Sequence, residues 1–471
     1  MIFTHFRLNR FHFTVITSLI GLVLGTIGLP LTGCAPIAHD DDQSQATYDL
    51  EIPLFTNDQY EFKKVQISTL NNISSVSGQA AEFYYNPTVK NNVLDGTFPQ
   101  AKIYKSNQGS LVAEDLKSLE LLTLYYHFEK LMFFDQKMGV FYANSWPRKI
   151  GLEARVLDKN NRPSKNNARY ASAFDGYLFE SFIRPDLNLT VNGGVIAHEH
   201  FHSLFNKLVL IPLSQKFNSE LPKSPEDPSH SDRAANDSNT RQLVKSKSYE
   251  EIKNKKIQVT PYLETIVRGW NEGLADTWGW IYTGDTKFVE RSLSFEKSRD
   301  LSLNTQIIPE MNSLSFFMNS SVQSNSERLS YSYKLGSLHA RMFYKIYLHK
   351  KKLSSAPDIE IRQEIAKLIV ELLPQMVNSL FLLEEPVVSA ALPIALLSQR
   401  SDLKDFCPDL VALVAKPDQI ALNLSCETPS AQKNLSKTKL DKAELDTLKS
   451  NKSKSDNVNS QINADQKTSY E

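Results

Sequence analysis

The 471-residue sequence shows no surplus of charge, few cysteines and no repeated segment. Its 53 basic residues balance 53 acidic ones, so no basic field arises that would hold a nucleic acid. No glycine-rich loop of the phosphate-binding kind appears. Cysteine occurs only at Cys34, Cys407 and Cys426. Hydrophobic residues make up 41% of the chain, enough at this length for a large core in more than one lobe.

What is present begins with export. Arg7 and Arg10 precede an apolar stretch from Phe11 to Leu29, which reads as an export signal, with a transmembrane anchor as the alternative. Thr14, Thr17, Ser18 and several glycines within the run favour the signal. The closing Leu31-Thr32-Gly33-Cys34 resembles a bacterial lipobox, which implies cleavage before Cys34 and lipidation of its thiol and new amino group. Ala35 rather than Asp follows, which implies an outer-membrane destination in the bacterial cell envelope. Residues 1–33 are therefore expected to be a lipoprotein signal peptide and 34–48 a polar tether. In an oxidising envelope compartment Cys407 and Cys426 are expected to close a small C-terminal loop, worth about 3 kcal/mol of chain entropy. No thiol is then left as a nucleophile or metal ligand, which argues against a thiol protease.

The centre of the chain carries the chemistry. Gly194 to Phe205 contains HExxH at His198, Glu199 and His202. At about 100° per residue the two histidines project side by side, next to an apolar stripe of Phe201, Leu204, Phe205 and Leu208. Two imidazoles one turn apart supply adjacent ligands to a tetrahedral Zn²⁺, and the intervening Glu is placed to work on a metal-bound water. His200 falls on the opposite side and is not expected to be a ligand. The motif needs a third ligand from elsewhere.

That partner is expected in the segment from Tyr262 to Trp280. Glu272 and Asp276 are four apart and share a helical face, with Asn271 beside them. A zinc-binding carboxylate at Glu272, with Asp276 accepting the distal N–H of a liganding His, makes both ligand and support. Glu272 lies 70 residues after His202, and the excess is absorbed by a polar stretch at 211–259, read as a surface loop or lid. His230 within it is a stray candidate ligand, poorly placed on a flexible loop.

HExxH followed by Asn271, Glu272 and Asp276 resembles the gluzincin zinc metallopeptidases, thermolysin-like and fungalysin-like, over roughly residues 113–350. The resemblance implies that Asp276 orients His198 and that Asn271 orients His202. It also implies that Asn167 and Ala168 lie on an edge strand bordering the cleft and hydrogen-bond an extended substrate, a role an unpaired strand edge can serve. A Tyr three residues before Gly at a helix entry resembles the oxyanion donor of aminopeptidase-type members, which maps onto Tyr333. Tyr331 and His339 are the reserves for that role.

The expected architecture is α+β: a two-lobed zincin catalytic domain with a β-rich N-terminal region at 49–112, an upper lobe at 113–210 and a helical lower lobe at 260–427. Residues 428–471 have the composition of a disordered tail. The expected activity is zinc-dependent hydrolysis of peptide bonds in a lipid-anchored envelope protein, with Glu199 as general base. The rival reading is a non-catalytic zincin-scaffold lipoprotein with a binding or structural role, and a third is a zinc hydrolase of a non-peptide substrate.

Overall fold

The structure, a computed structural model, describes residues 47–90, 92–156, 163–220, 262–303, 324–382, 390–414, 416–422, 424 and 426. Cys34, His230, most of the polar stretch and the tail beyond 427 lie outside the described residues. Helices and sheets are both present, in keeping with an α+β chain. Among the described residues no helix is long and apolar enough to cross a membrane.

The alternation of Asp49, Leu50, Glu51 and Ile52 makes strand β1 (Tyr48–Thr56), which buries Leu50 and Ile52 on one face. It pairs antiparallel with β2 (Gln59–Ile67) and parallel with β8 (Leu111–Ala113), and β7 (Ile103–Lys105) completes a four-stranded sheet in the order β2-β1-β8-β7. Leu70–Asn72 and Ser77–Gly78 form a small two-stranded unit, β3 and β4. A second sheet runs β10-β11-β9-β5-β6, formed by β5 (Ala81–Lys90), β6 (Val93–Thr97), β9 (Arg148–Leu152), β10 (Ala168–Ala171) and β11 (Gly176–Phe179). The strands of the N-terminal region 49–112 are shared between these sheets. β5 and β6 pair into the sheet that ends at β10, because long-range pairing with β9 gives β5 partners that its local sequence does not specify.

Helix α1 (Leu116–Met138) starts at Asp115, whose carboxylate accepts the Ser118 N–H, and ends at Gly139 in the left-handed region at φ 74. Its leucines and aromatics are buried around most of the circumference because strands β1, β5 and β8 lie against one side and the motif helix against another. That helix, α2 (Gly193–Phe205), is capped by Asn192, whose Oδ1 accepts from the Gly194 and Val195 N–H groups at 3.1 and 3.3 Å. The helical path does not stop at Val209 as the composition suggests. It passes through a π-helical turn at Asn206–Leu210 into α3 (Ile211–Glu220), because Val209 and Leu213 still have core to pack against.

Helix α4 spans 262–283, followed by α5 (Phe288–Ser292). The long α6 (Asn325–Leu353) lies alongside α4 in parallel: Ser332 donates to the Thr265 carbonyl, Leu335 covers Gly269, Gly336 meets Gly273, and Trp280 packs on Tyr344 and Tyr347. A Cβ on Gly273 would stand 2.4 Å from the Gly336 carbonyl oxygen, so the two backbones come this close only because both positions are glycine. Helix α7 (Asp358–Leu382) and the short α8 (Leu392–Ser398), α9 (Cys407–Val411) and α10 (Lys416–Ala421) complete the C-terminal part. There Cys407 and Cys426 are joined as a disulfide, with Cα atoms 5.7 Å apart.

Candidate metal centre

Helices α2 and α4 cross antiparallel, and their register builds the site. Gly194 lies at Gly279, where an added Cβ on Gly279 would come within 2.6 Å of the Gly194 carbonyl oxygen. Four residues along α2, His198 meets Asp276, and four further His202 meets Asn271 and Glu272. The fourfold spacing on each helix therefore becomes a face-to-face ladder.

His198 Nε2 and His202 Nε2 stand 3.0 Å apart, and Glu272 Oε2 is 3.6 Å from the first and 3.9 Å from the second. The ligand atoms of all three residues lie within 4.8 Å of one another. Behind them, His202 Nδ1 lies 2.9 Å from Asn271 Oδ1. His198 Nδ1 lies 3.0 Å from Asp276 Oδ1, at ion-pair distance although off the line of a good hydrogen bond.

These contacts test whether a metal fits. An acceptor beside each Nδ1 favours the proton there, which leaves both Nε2 lone pairs pointing into the same space. Two lone pairs at 3.0 Å repel unless a cation or proton lies between them. Two ligands held at about 2.0 Å by a tetrahedral ion stand about 3.3 Å apart, and the observed separations bracket that value. Two imidazoles and a carboxylate are the donor set of a zinc or similar divalent centre with a coordination position left open. The residues fit the ion.

Glu199 is buried beside this group, with Oε2 accepting the Tyr170 N–H at 2.8 Å. Burial raises its proton affinity above that of an ordinary carboxyl, and the nearby His202 and His198 oppose the rise. Burial disfavours the charged form of His198, but Asp276 outweighs it and the net shift is upward. Asp276, fully enclosed, is held down at about 2: burial would raise it, and Arg299 and His198 overcome that.

Arg299 is the residue that sequence reasoning did not find. It follows α5 in a short 3-10 turn, and its Nε donates to Asp276 Oδ2 at 3.0 Å while Nη2 reaches Asp276 Oδ1 and stands 3.8 Å from Glu272 Oε2. A charge count could have called for it. Glu199, Glu272 and Asp276 carry three negative charges against two on a divalent ion, and a buried site needs a further cation nearby.

The remaining candidates separate clearly. Tyr333 lies within α6, not at its entry, and its ring centroid is 5.3 Å from the Arg299 guanidinium carbon. The negative charge of Glu272, then burial, pushes its phenol up, so it stays protonated and able to donate. Tyr331 is buried, and His339 is buried with Nδ1 at 3.0 Å from the Leu335 carbonyl and Nε2 at 3.1 Å from that of Ala390. Both His339 nitrogens are engaged within the fold, which takes it away from the cleft. His200 faces away from the metal ligands, between the Tyr177 hydroxyl at 3.0 Å and Asp135 Oδ2 at 3.0 Å.

Ala168 opens β10, an edge strand, and Asn167 just before it is exposed. The Asn167 carbonyl accepts the Glu180 N–H at 2.9 Å, so by the alternation of an antiparallel ladder Ala168 and Tyr170 turn their backbone groups to the free side, where Glu199 lies. No family model, no curated protein and no solved structure matches the chain.

Proposed function

We propose that the chain is a zinc-dependent metallopeptidase of gluzincin type, lipid-anchored in the bacterial envelope, that hydrolyses peptide bonds with Glu199 as general base. The observation that carries this reading is the convergence of His198, His202 and Glu272, backed by Asp276 and Asn271, on the face where Glu199 is held.

His198, His202 and Glu272 would hold a zinc ion, which when bound would supply Lewis acidity and a water of pKa lowered toward about 7. The residues of the chain do the rest. Glu199 takes the proton of the attacking water and passes it to the leaving amine, a task suited to a carboxyl whose proton affinity burial has raised. The Tyr333 phenol donates to the oxyanion developing on the scissile carbonyl. The free side of β10 at Ala168, next to exposed Asn167, offers backbone groups to an extended peptide. Asp276, held by Arg299, and Asn271 keep the two imidazoles in one orientation.

The test is Glu199→Gln in the mature protein, with metal content measured beside hydrolysis of a peptide library. The expected result is a loss of about a hundredfold or more in rate with zinc retained. Cleavage at the wild-type rate refutes the mechanism. A wild-type protein that binds no metal, or binds zinc without turnover, supports the non-catalytic scaffold instead.

A further inference from the structure

The strand expected to bind substrate also touches the base. Tyr170 sits in β10 with its N–H on the free side, where a substrate backbone would pair, yet that N–H already donates to Glu199 Oε2 at 2.8 Å. The strand is itself fastened to the far end of the motif helix. The Tyr170 hydroxyl donates to Asp175 Oδ1 at 2.9 Å and accepts from Asn206 Nδ2 at 3.3 Å. Asp175, in the turn that closes β10 onto β11, is held at a left-handed φ of 52. Its carboxylate receives Arg148 Nη2 at 3.0 Å and Lys207 Nζ at 3.1 Å. Arg148 has no exposed surface, and the same Nη2 donates to Ser203 Oγ at 2.9 Å. Three residues just past His202 along the helical path, Ser203, Asn206 and Lys207, thus hold β10 through one ion-paired cluster in which Arg148 is buried and Asp175 and Lys207 are partly exposed.

We propose that Tyr170 is a positioning residue for Glu199: its backbone amide pins one carboxylate oxygen and leaves the other to face the reacting water. A Glu side chain has three rotatable bonds, and a charge-assisted hydrogen bond from a strand fixed by a buried arginine removes most of that freedom. One strand then sets both the register of the peptide and the direction of the base. The Tyr170 N–H is spent, so an extended peptide can pair with the N–H and C=O of Ala168 and only with the C=O of Tyr170. This inference rests on the reading of Glu199 as the general base.

Two measurements test it. Tyr170→Pro removes the amide hydrogen and Tyr170→Ala keeps it, while both lose the same phenol. Proline costs no bond of the β10–β11 ladder there, and its ring Cδ takes the place of the amide hydrogen, so the Glu199 carboxylate loses this donor and must turn aside. In the zinc-loaded protein, Tyr170→Pro is expected to lower kcat about tenfold or more below Tyr170→Ala, with KM within about twofold and zinc stoichiometry unchanged. Equal kcat in the two variants, or a change in KM alone, overturns the proposal. The second measurement needs no substitution at position 170 and no turnover. Hydrogen exchange at the Tyr170 amide is expected to be slow in the wild type and about tenfold or more faster in Glu199→Ala. Equal exchange in both also overturns it. If Glu199→Gln keeps full activity while Tyr170 exchange still depends on Glu199, the function fails and the contact stands; if Glu199→Gln is inactive but the Pro and Ala variants match, only the positioning role fails.

Discussion

Asp276→Asn changes the site at one enclosed oxygen while keeping side-chain shape. Asp276 is 1% exposed, receives Arg299 at 3.0 Å and lies 3.0 Å from His198 Nδ1. Two costs follow, with different readouts. The first is orientation: His198 loses its anionic partner, and losses of this kind weaken metal binding by about 10- to 100-fold, or about 1.4–2.7 kcal/mol. The second is charge: among the described residues Arg299 is left enclosed with Glu272 at 3.8 Å as its remaining anionic neighbour. Removing one partner of a buried pair costs about 3–5 kcal/mol, and the remaining Glu272 places this case near the lower end. The pKa supports a similar size. In the metal-free protein Asp276 is held at about 2 against an ordinary 3.8, and that gap corresponds to about 2 kcal/mol. A carboxyl depressed in the fold stabilises above its unfolded pKa and loses that stability as pH falls through the folded value. The difference between wild type and variant should therefore grow as pH falls from neutral toward about 5, where His198, shifted upward by Asp276, is charged, and should shrink below about 3 as Asp276 itself is protonated. Zinc affinity by chelator competition and urea unfolding of the metal-free protein read the two costs separately. Adding Arg299→Met should restore much of the metal-free stability, because the unpaired cation is gone, but not the zinc affinity. A folded Asp276→Asn protein that binds zinc within about twofold of wild type would refute the orientation argument.

Gly273→Ala should push α6 away from α4, since the new Cβ would lie 2.4 Å from the Gly336 carbonyl oxygen. Overpacking of this kind costs about 1–3 kcal/mol, and displacing Tyr333 from Glu272 should lower kcat about tenfold or more; unchanged unfolding and kinetics together would contradict the packing. Glu120, on α1 and away from the metal ligands, has its carboxyl pushed up to about 7 by burial and then by the charge of Glu153. Its contribution is fully present below pH 4.5 and lost as pH rises through 7, so Glu120→Gln should raise the melting temperature at pH 8, by at most about 3 kcal/mol of stability, and leave it unchanged at pH 4. The Asn188 amide, 2.6 Å from Glu120 Oε1, can still donate to the Gln oxygen, and equal melting curves at pH 8 would show that the charge costs nothing.

Much of the centre was legible because helical periodicity is local. The i and i+4 spacing of His198 and His202, and of Glu272 and Asp276, places each pair on one face whatever surrounds them, and the same phase argument removed His200. The Asn-Glu-x-x-x-Asp order pointed to Glu272, Asp276 and Asn271, which the fold brings beside the two histidines. Arg299 left no such mark: it lies in a turn among polar residues, and its role comes from a charge balance that exists only once three carboxylates meet. Helix α3 reads as loop in the sequence because its residues are mostly polar, and among the side chains described there Leu213 alone is buried in the core.

The sequence by itself determined the helices that carry the donors and their phase, since these depend on residues near in the chain, and it put Cys407 and Cys426 close enough in the chain for the disulfide that the fold closes. Tertiary structure decided what is not written in side-chain type. The antiparallel crossing of α2 on α4 at Gly194 and Gly279 brought two helical faces together, and β5 joined the β10-β11-β9 sheet through pairing with a strand from beyond α1. The hold of the Tyr170 amide on Glu199 is the clearest case, because a backbone N–H is the same at every residue and only packing selects which one meets this carboxylate.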